Sequence, residues 1–178
     1  HREVLIVLYA FYYELARVRV AVTDQTMGQI RFQWWREALE QIATGQVREH
    51  ELVHALADQI ATERLAPDRL LSLIEQHETA FLEGDRGLEP EGDLAVLAAD
   101  LLSPNHGVAD LIQTIAPDWA SLRRGDPATQ SLSRAKIPSA VRPALAHFRL
   151  RHVWAKRDAT GPIRTRLSIL RAVLSGGI

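Results

Sequence analysis

Apolar positions along this chain recur almost everywhere at the helical period. No alternating stretch of useful strand length interrupts them. The first helical pattern opens with ten apolar residues in a row, Val4 to Tyr13. A helix that is apolar all round belongs in the middle of a bundle, and ten residues fall well short of the roughly 20 needed to span a bilayer. Glu14 and Arg17 then share one face and Val18 and Val22 another. Thr26-Met27-Gly28-Gln29 reads as a capping box that starts a second helix, with Ile30, Trp34, Leu39 and Ile42 inward and Gly45 closing it.

The pattern continues in shorter pieces. Leu52, Leu56 and Ile60 mark a third helix. Pro67 suits the first turn of a fourth, whose inward stripe is Leu70, Ile74, His77 and Phe81. Residues 84–92 are acidic and rich in Gly and Pro, which predicts a loop. Helices are expected from Asp93 to Leu102, from Gly107 to Ile115 before Pro117, and over residues 139–157, with Pro143 tolerated near the first turn. Gly125-Asp126-Pro127 marks a break. Ile163, Leu167, Leu170 and Leu174 form a last stripe at i, i+4, i+7 and i+11, stopped by Gly176-Gly177. The fold class is all-α, a helical bundle, and 178 residues suit one domain over 1–178.

Two helices in this series carry a resemblance. Leu8-Tyr9-Ala10-Phe11 with Glu14-Leu15-Ala16, then Gly28, Ile30-Arg31 and Gln33-Trp34-Trp35-Arg36-Glu37-Ala38-Leu39, resemble the N-terminal helix pair of the squalene/phytoene synthase family. The similarity is specific over residues 4–42 and weaker to about Leu82. It returns at residues 137–145, which resemble the family's last helix. The chain is short for the family, as a reduced member or one with missing segments is. The resemblance implies an isoprenoid-synthase-type bundle. Similar F-x-x-E-L-A and Arg-x-Gln-Trp/Phe-Trp patterns occur in a divergent branch that includes a mitochondrial factor assisting complex I assembly, which implies a protein partner.

Active members hold magnesium between two aspartate-rich motifs, because ionising an allylic diphosphate requires its charge to be neutralised by hard cations. No Asp-x-x-x-Asp occurs here. The matching first-motif positions are Ala16 and Val20, and the second-motif region offers only Asp100 and Asp110. Asp85/Glu89 and Glu89/Asp93 have the spacing but lie in the Gly/Pro stretch. The resemblance therefore implies impaired or lost metal-dependent catalysis, with a prenyl diphosphate, an isoprenoid lipid or a protein partner bound instead. An active head-to-head prenyltransferase is the alternative. No cofactor is expected, or Mg²⁺ if the chain is active.

The arginines that remain are Arg17, Arg19, Arg31 and Arg36, a residue type suited to bidentate phosphate contact, and the site reading keeps Arg17, Arg31 and Arg36. With Tyr13 and Trp35 they are the candidate substrate-binding set. The plainer reading pairs Arg17 with Glu14 and leaves the other arginines on solvated faces. Trp34 and Trp35 line a tail pocket on the first reading and are simple core on the second.

One motif competes. His50-Glu51-Leu52-Val53-His54 is a literal H-E-x-x-H, the zinc metalloprotease pattern, with Glu75, His77 and Glu78 as third-ligand candidates. Its His50 would sit in the first turn of a helix, and a five-residue pattern arises by chance. His147 and His152 are five apart and share no helical face. Ser131 and Ser133 have no nucleophile-elbow context. The chain has no cysteine, which removes disulfides and thiolate chemistry. A formal net charge of −1 favours neither nucleic acid nor an anionic membrane in its total. Without a basic leader or cleavage site, and starting at His1, the chain reads as trimmed and cytoplasmic or peripheral to a membrane.

Overall fold

The computed structural model describes residues 1–84, 90–127, 132, 134–155 and 161–178. Asp85, Glu89, Ser131 and Ser133, and the end of the helix expected over 139–157, lie outside the described residues. The described elements are helical, and the one extended pairing among them is an isolated antiparallel bridge between Lys136 and Gly177. The chain divides into two compact units, His1–Pro90 and Glu91–Ile178.

The first unit contains α1 (Arg2–Ala21), α2 (Gln25–Ala43), α3 (Glu51–Ala61) and α4 (Pro67–Leu82). In α1 the apolar run is not buried all round. Val4, Val7, Leu8, Phe11, Leu15 and Val18 point into the core, whereas Ile6 and Tyr13 are more than half exposed. The α2 N-terminus is set by Asp24, not by Thr26. The Asp24 carboxylate accepts from the Met27 backbone N–H at 2.8 Å, which satisfies an orphan donor of the first turn. Thr26 lies inside the helix.

The inward face of α2 is also rotated from the expected one. Gly28, Phe32, Trp35, Ala38 and Leu39 are buried, and Ile30 is exposed. The cause is a close approach by α4. A Cβ on Gly28 would come within 2.1 Å of the Phe81 ring, so the missing side chain is what lets Phe81 sit against α2 and meet Phe32 edge-on. In α3 the buried side chains are Val53, Leu56 and Gln59, with Leu52 and Ile60 half-buried. Pro67 begins α4 as expected, and Leu70, Ile74 and His77 are fully buried with Phe81 half-buried.

The second unit contains α5 (Glu91–Leu102), α6 (Ala109–Arg124), a 3₁₀ turn at Ser139–Val141, α7 (Arg142–Leu145), a second 3₁₀ turn at Ala146–Arg149, α8 (Leu150–Trp154) and α9 (Pro162–Ser175). Two expectations change here. The α6 helix runs through Pro117, because burial of Ile112, Ile115, Ala116 and Trp119 outweighs one missing hydrogen bond. Pro117 has no N–H to donate to the Gln113 carbonyl four residues back, and Gln113 is an exposed residue. The long helix expected over 139–157 is a run of α and 3₁₀ turns through the described part, so no single stripe describes its buried face.

The chain end is latched. Ala135 and Ile178 exchange two backbone hydrogen bonds, each 2.9 Å, and Arg149 donates to the Gly177 carbonyl at 2.7 Å. Ile178 is fully buried. Gly176 ends α9 at φ +70°, where a Cβ would strike the Ile137 carbonyl at 2.8 Å.

Candidate functional site

In the first unit, the helix pair α1 and α2 borders a small open cavity of about 120 Å³ lined by Glu14, Arg17, Val18, Arg31, Trp34 and Trp35. Glu14, Arg17 and Val18 fall together because they are spaced three and four apart on α1. Arg31, Trp34 and Trp35 do the same on α2.

Three of the five expected residues, Arg17, Arg31 and Trp35, therefore meet at one place. Tyr13 is 62% exposed and does not line the cavity. Arg36 turns to α4 and forms a half-buried ion pair with Glu78. Arg17 donates to Glu14 at 3.0 Å, so the plainer reading of that pair holds, and both groups still border the cavity. Trp35 packs edge-on against Phe11 at 5.3 Å and against Trp34 at 4.9 Å, so it serves as core and as cavity wall together.

Beside the cavity, Arg48 fixes the α2 surface. It donates to Gln41 at 2.7 Å, to the Trp34 carbonyl at 3.2 Å and to Glu37 at 2.8 Å, while stacking over the Trp34 ring. The Arg48 guanidinium, with help from Gln33, holds the Glu37 carboxyl below its usual range.

The zinc pattern does not assemble. His50 is the N-cap of α3, and its ring packs against Trp34 and Trp35 at 5.5 Å from each. Among the third-ligand candidates, Glu78 is taken by Arg36 and His77 lies in the core against Tyr12, 4.7 Å between ring centroids. Among the described residues no three His, Asp or Glu side chains converge to hold a metal ion.

The same holds for magnesium. Ala16 and Val20 offer no oxygen, and Val20 is 86% exposed. Asp100 faces His106 at 3.4 Å, and Asp110 lies in the exposed first turn of α6. Among the described residues, these four do not form a set that fits the group.

The squalene/phytoene synthase family profile matches residues 1–98, more than half of the chain. The chain belongs to that family. No curated protein and no solved structure matches it. The family match covers the helix pair and the small cavity between its two helices, and the all-helical elements agree with the family's isoprenoid-synthase fold. No helix among the described residues is long and apolar enough to cross a membrane.

Sequence reading missed a second feature, in the second unit. A cavity of about 590 Å³ is lined by Arg134, Arg149, Arg164 and Arg171, with His152 and the apolar Leu132, Val153 and Leu167 among its other walls. Its charged groups come from three separate segments, so no local motif announces it. Their shared signal is the near absence of acid over residues 134–178, where Asp158 is the single one in the sequence.

Proposed function

We propose that this family member no longer ionises a prenyl diphosphate and uses its helix pair to bind an anionic isoprenoid ligand or a protein partner. The observation that carries this reading is the chemistry of the first-motif face. Ala16 and Val20 stand where active members carry aspartates, and the adjoining cavity presents Arg17 and Arg31 with one carboxylate, Glu14, already paired to Arg17. A metal-bridged diphosphate needs converging carboxylates. A site that binds phosphate directly needs guanidinium groups.

Size bears on the ligand. Pockets that bury a whole small molecule run from about 300 Å³ upward. At about 120 Å³ the cavity matches a head group more closely than a prenyl chain. The tail of a bound prenyl diphosphate would lie outside it.

The test is calorimetric titration with farnesyl and geranylgeranyl diphosphate, with and without Mg²⁺. Binding should be independent of magnesium, and Arg31→Gln should weaken it by about ten-fold, the worth of one charge-assisted hydrogen bond. Binding that requires magnesium would reinstate the active prenyltransferase. Absence of binding would leave the protein partner as the function of this face.

A further inference from the structure

The stripe of α9 is on the wrong side of its helix for a core. Ile163 is 73% exposed, Leu167 58%, Leu170 52% and Leu174 72%, whereas Ala172, almost opposite on the helical wheel, is fully buried. Isolated exposed leucines need no explanation, but four large aliphatics in one helical line form a patch that soluble surfaces avoid. What borders the stripe identifies its partner. Arg166 lies on one flank and Arg171 and Arg164 on the other, and α9 contains no acidic residue. By contrast, the exposed apolar side chains of α1 share their helix with Glu3 and Glu14.

The positive charge extends beyond the helix. Leu167 belongs to the stripe and Arg171 to its flank, and both also line the 590 Å³ cavity, where they meet Arg134 and Arg149. Among the described residues no acidic side chain lines that cavity. The guanidinium of Arg149 is pushed below its ordinary pKa by burial, then by the charges of Arg171 and Arg134. His152 is depressed by burial, then by Arg151, Arg149 and Arg134, with a backbone hydrogen bond to Ile178 acting the other way. Its Nε2 is buried without a hydrogen-bond partner among the described residues. Over residues 134–178 the sequence places ten Lys and Arg against one acid, Asp158. Residues 1–133 hold eleven against twenty-one. The whole-chain charge of −1 conceals this asymmetry.

We propose that α9 lies flat on an anionic phospholipid surface, with the Ile163–Leu167–Leu170–Leu174 stripe in the acyl boundary and the arginine-lined cavity receiving a lipid phosphate. An interfacial helix has this composition: an aliphatic face, arginines along its borders, and a length too short and too charged to span. Arginines at the border keep their heads at the phosphate level while their stems run along apolar surface. Nucleic acid would match the charge but not the aliphatic line. A second copy of the chain would match the line but would set arginines against arginines.

The experiment is flotation of the whole chain with phosphatidylcholine vesicles, with and without roughly 30% phosphatidylglycerol. Binding should need the anionic lipid and should fall as NaCl rises from about 0.05 to about 0.3 M. Leu167→Glu with Leu170→Glu changes exposed side chains, so the helix signal in circular dichroism should be kept while vesicle binding drops by at least about ten-fold. Arg166→Gln with Arg171→Gln should weaken binding by about five-fold for each charge removed.

Four results would reject the surface. They are equal binding to neutral and anionic vesicles, binding that survives both glutamates, a single-stranded oligonucleotide that binds as tightly and ignores them, and a dimer in light scattering that the glutamates dissolve. Inorganic phosphate that stabilises the chain while vesicles do not bind would reduce the cavity to a free-phosphate site. These readouts do not depend on the α1–α2 site, so this proposal and the one for prenyl diphosphate fail separately.

Discussion

The units 1–90 and 91–178 treat the same kind of apolar stripe in opposite ways. In the first, the face of α4 expected to be inward is largely buried, and the shifts of phase in α2 and α3 still turn apolar side chains such as Phe32, Val53 and Leu56 into the core. In the second, the cleanest stripe of the whole chain faces water. The two helices with the clearest patterns, α4 and α9, therefore end in opposite environments. Period locates a helix and its apolar side, but the number of neighbouring elements decides whether that side is covered. The charges divide in parallel. Acids prevail before residue 134, and the side chains after it are almost all basic or neutral.

Substitution at equivalent-looking positions should break the symmetry of sequence most sharply. Phe11→Ala removes a fully buried ring that packs on Trp35, and should destabilise the first unit by about 3–5 kcal/mol. Leu167→Ala, in an equally regular stripe, should stay within about 0.5 kcal/mol in urea unfolding. A comparable loss for both would mean that α9 is covered in solution.

Acid should act on both units through neutral histidines, His77 fully buried and His147 half-buried. His77 is depressed to about 3, by burial first and then by the charge of Arg19, and neither ring nitrogen has a hydrogen-bond partner among the described residues. His147, in the second unit, is depressed to about 4 by burial first. Below an unfolded pKa of about 6.5 the unfolded chain binds protons that these imidazoles refuse. Stability should therefore be full above that pH and fall progressively as pH drops towards 3 for His77 and 4 for His147. The expected cost is about 2 kcal/mol per group by pH 5. His77→Leu should flatten the acid slope of the first unit, as followed by Trp34 and Trp35 fluorescence. A slope unchanged by that variant would show the imidazole already charged or exposed.

Smaller effects separate the two candidate arginines that made ion pairs. Arg36→Met removes one partner of the half-buried pair with Glu78 and should cost about 1–2 kcal/mol. Arg17→Ala removes an exposed pair within one helix and should cost less than about 0.5 kcal/mol. Its effect should appear in ligand binding at the α1–α2 cavity and not in the unfolding midpoint.

Much of the first unit was legible because its information is local. The helices, Pro67 at the start of α4, the glycine stops and the buried stripe of α4 all follow from neighbours three or four residues away. So does the meeting of Arg17 with Glu14. Arg31 and Trp35 could be placed on one helix, but their meeting with Arg17 needed α1 and α2 to be docked. The Asp24 cap was missed because Thr26, two residues on, is an equally good candidate by chemistry. The phase of α2 was missed because several of its faces are apolar, and Gly28 acquires its meaning only when Phe81 arrives from α4.

By itself, the sequence determined the helical class, the family, the lack of any Asp-x-x-x-Asp, and the absence of cysteine. Each of these is carried by residue identity or by spacing within one helix turn. Tertiary structure alone decided that His50 packs on tryptophans, that Arg36 belongs to Glu78, that α9 turns its aliphatic line outward, and that four arginines distant in the chain share one cavity. Such facts depend on which elements meet, and the balance of burial and desolvation that selects those meetings is a property of the packed whole.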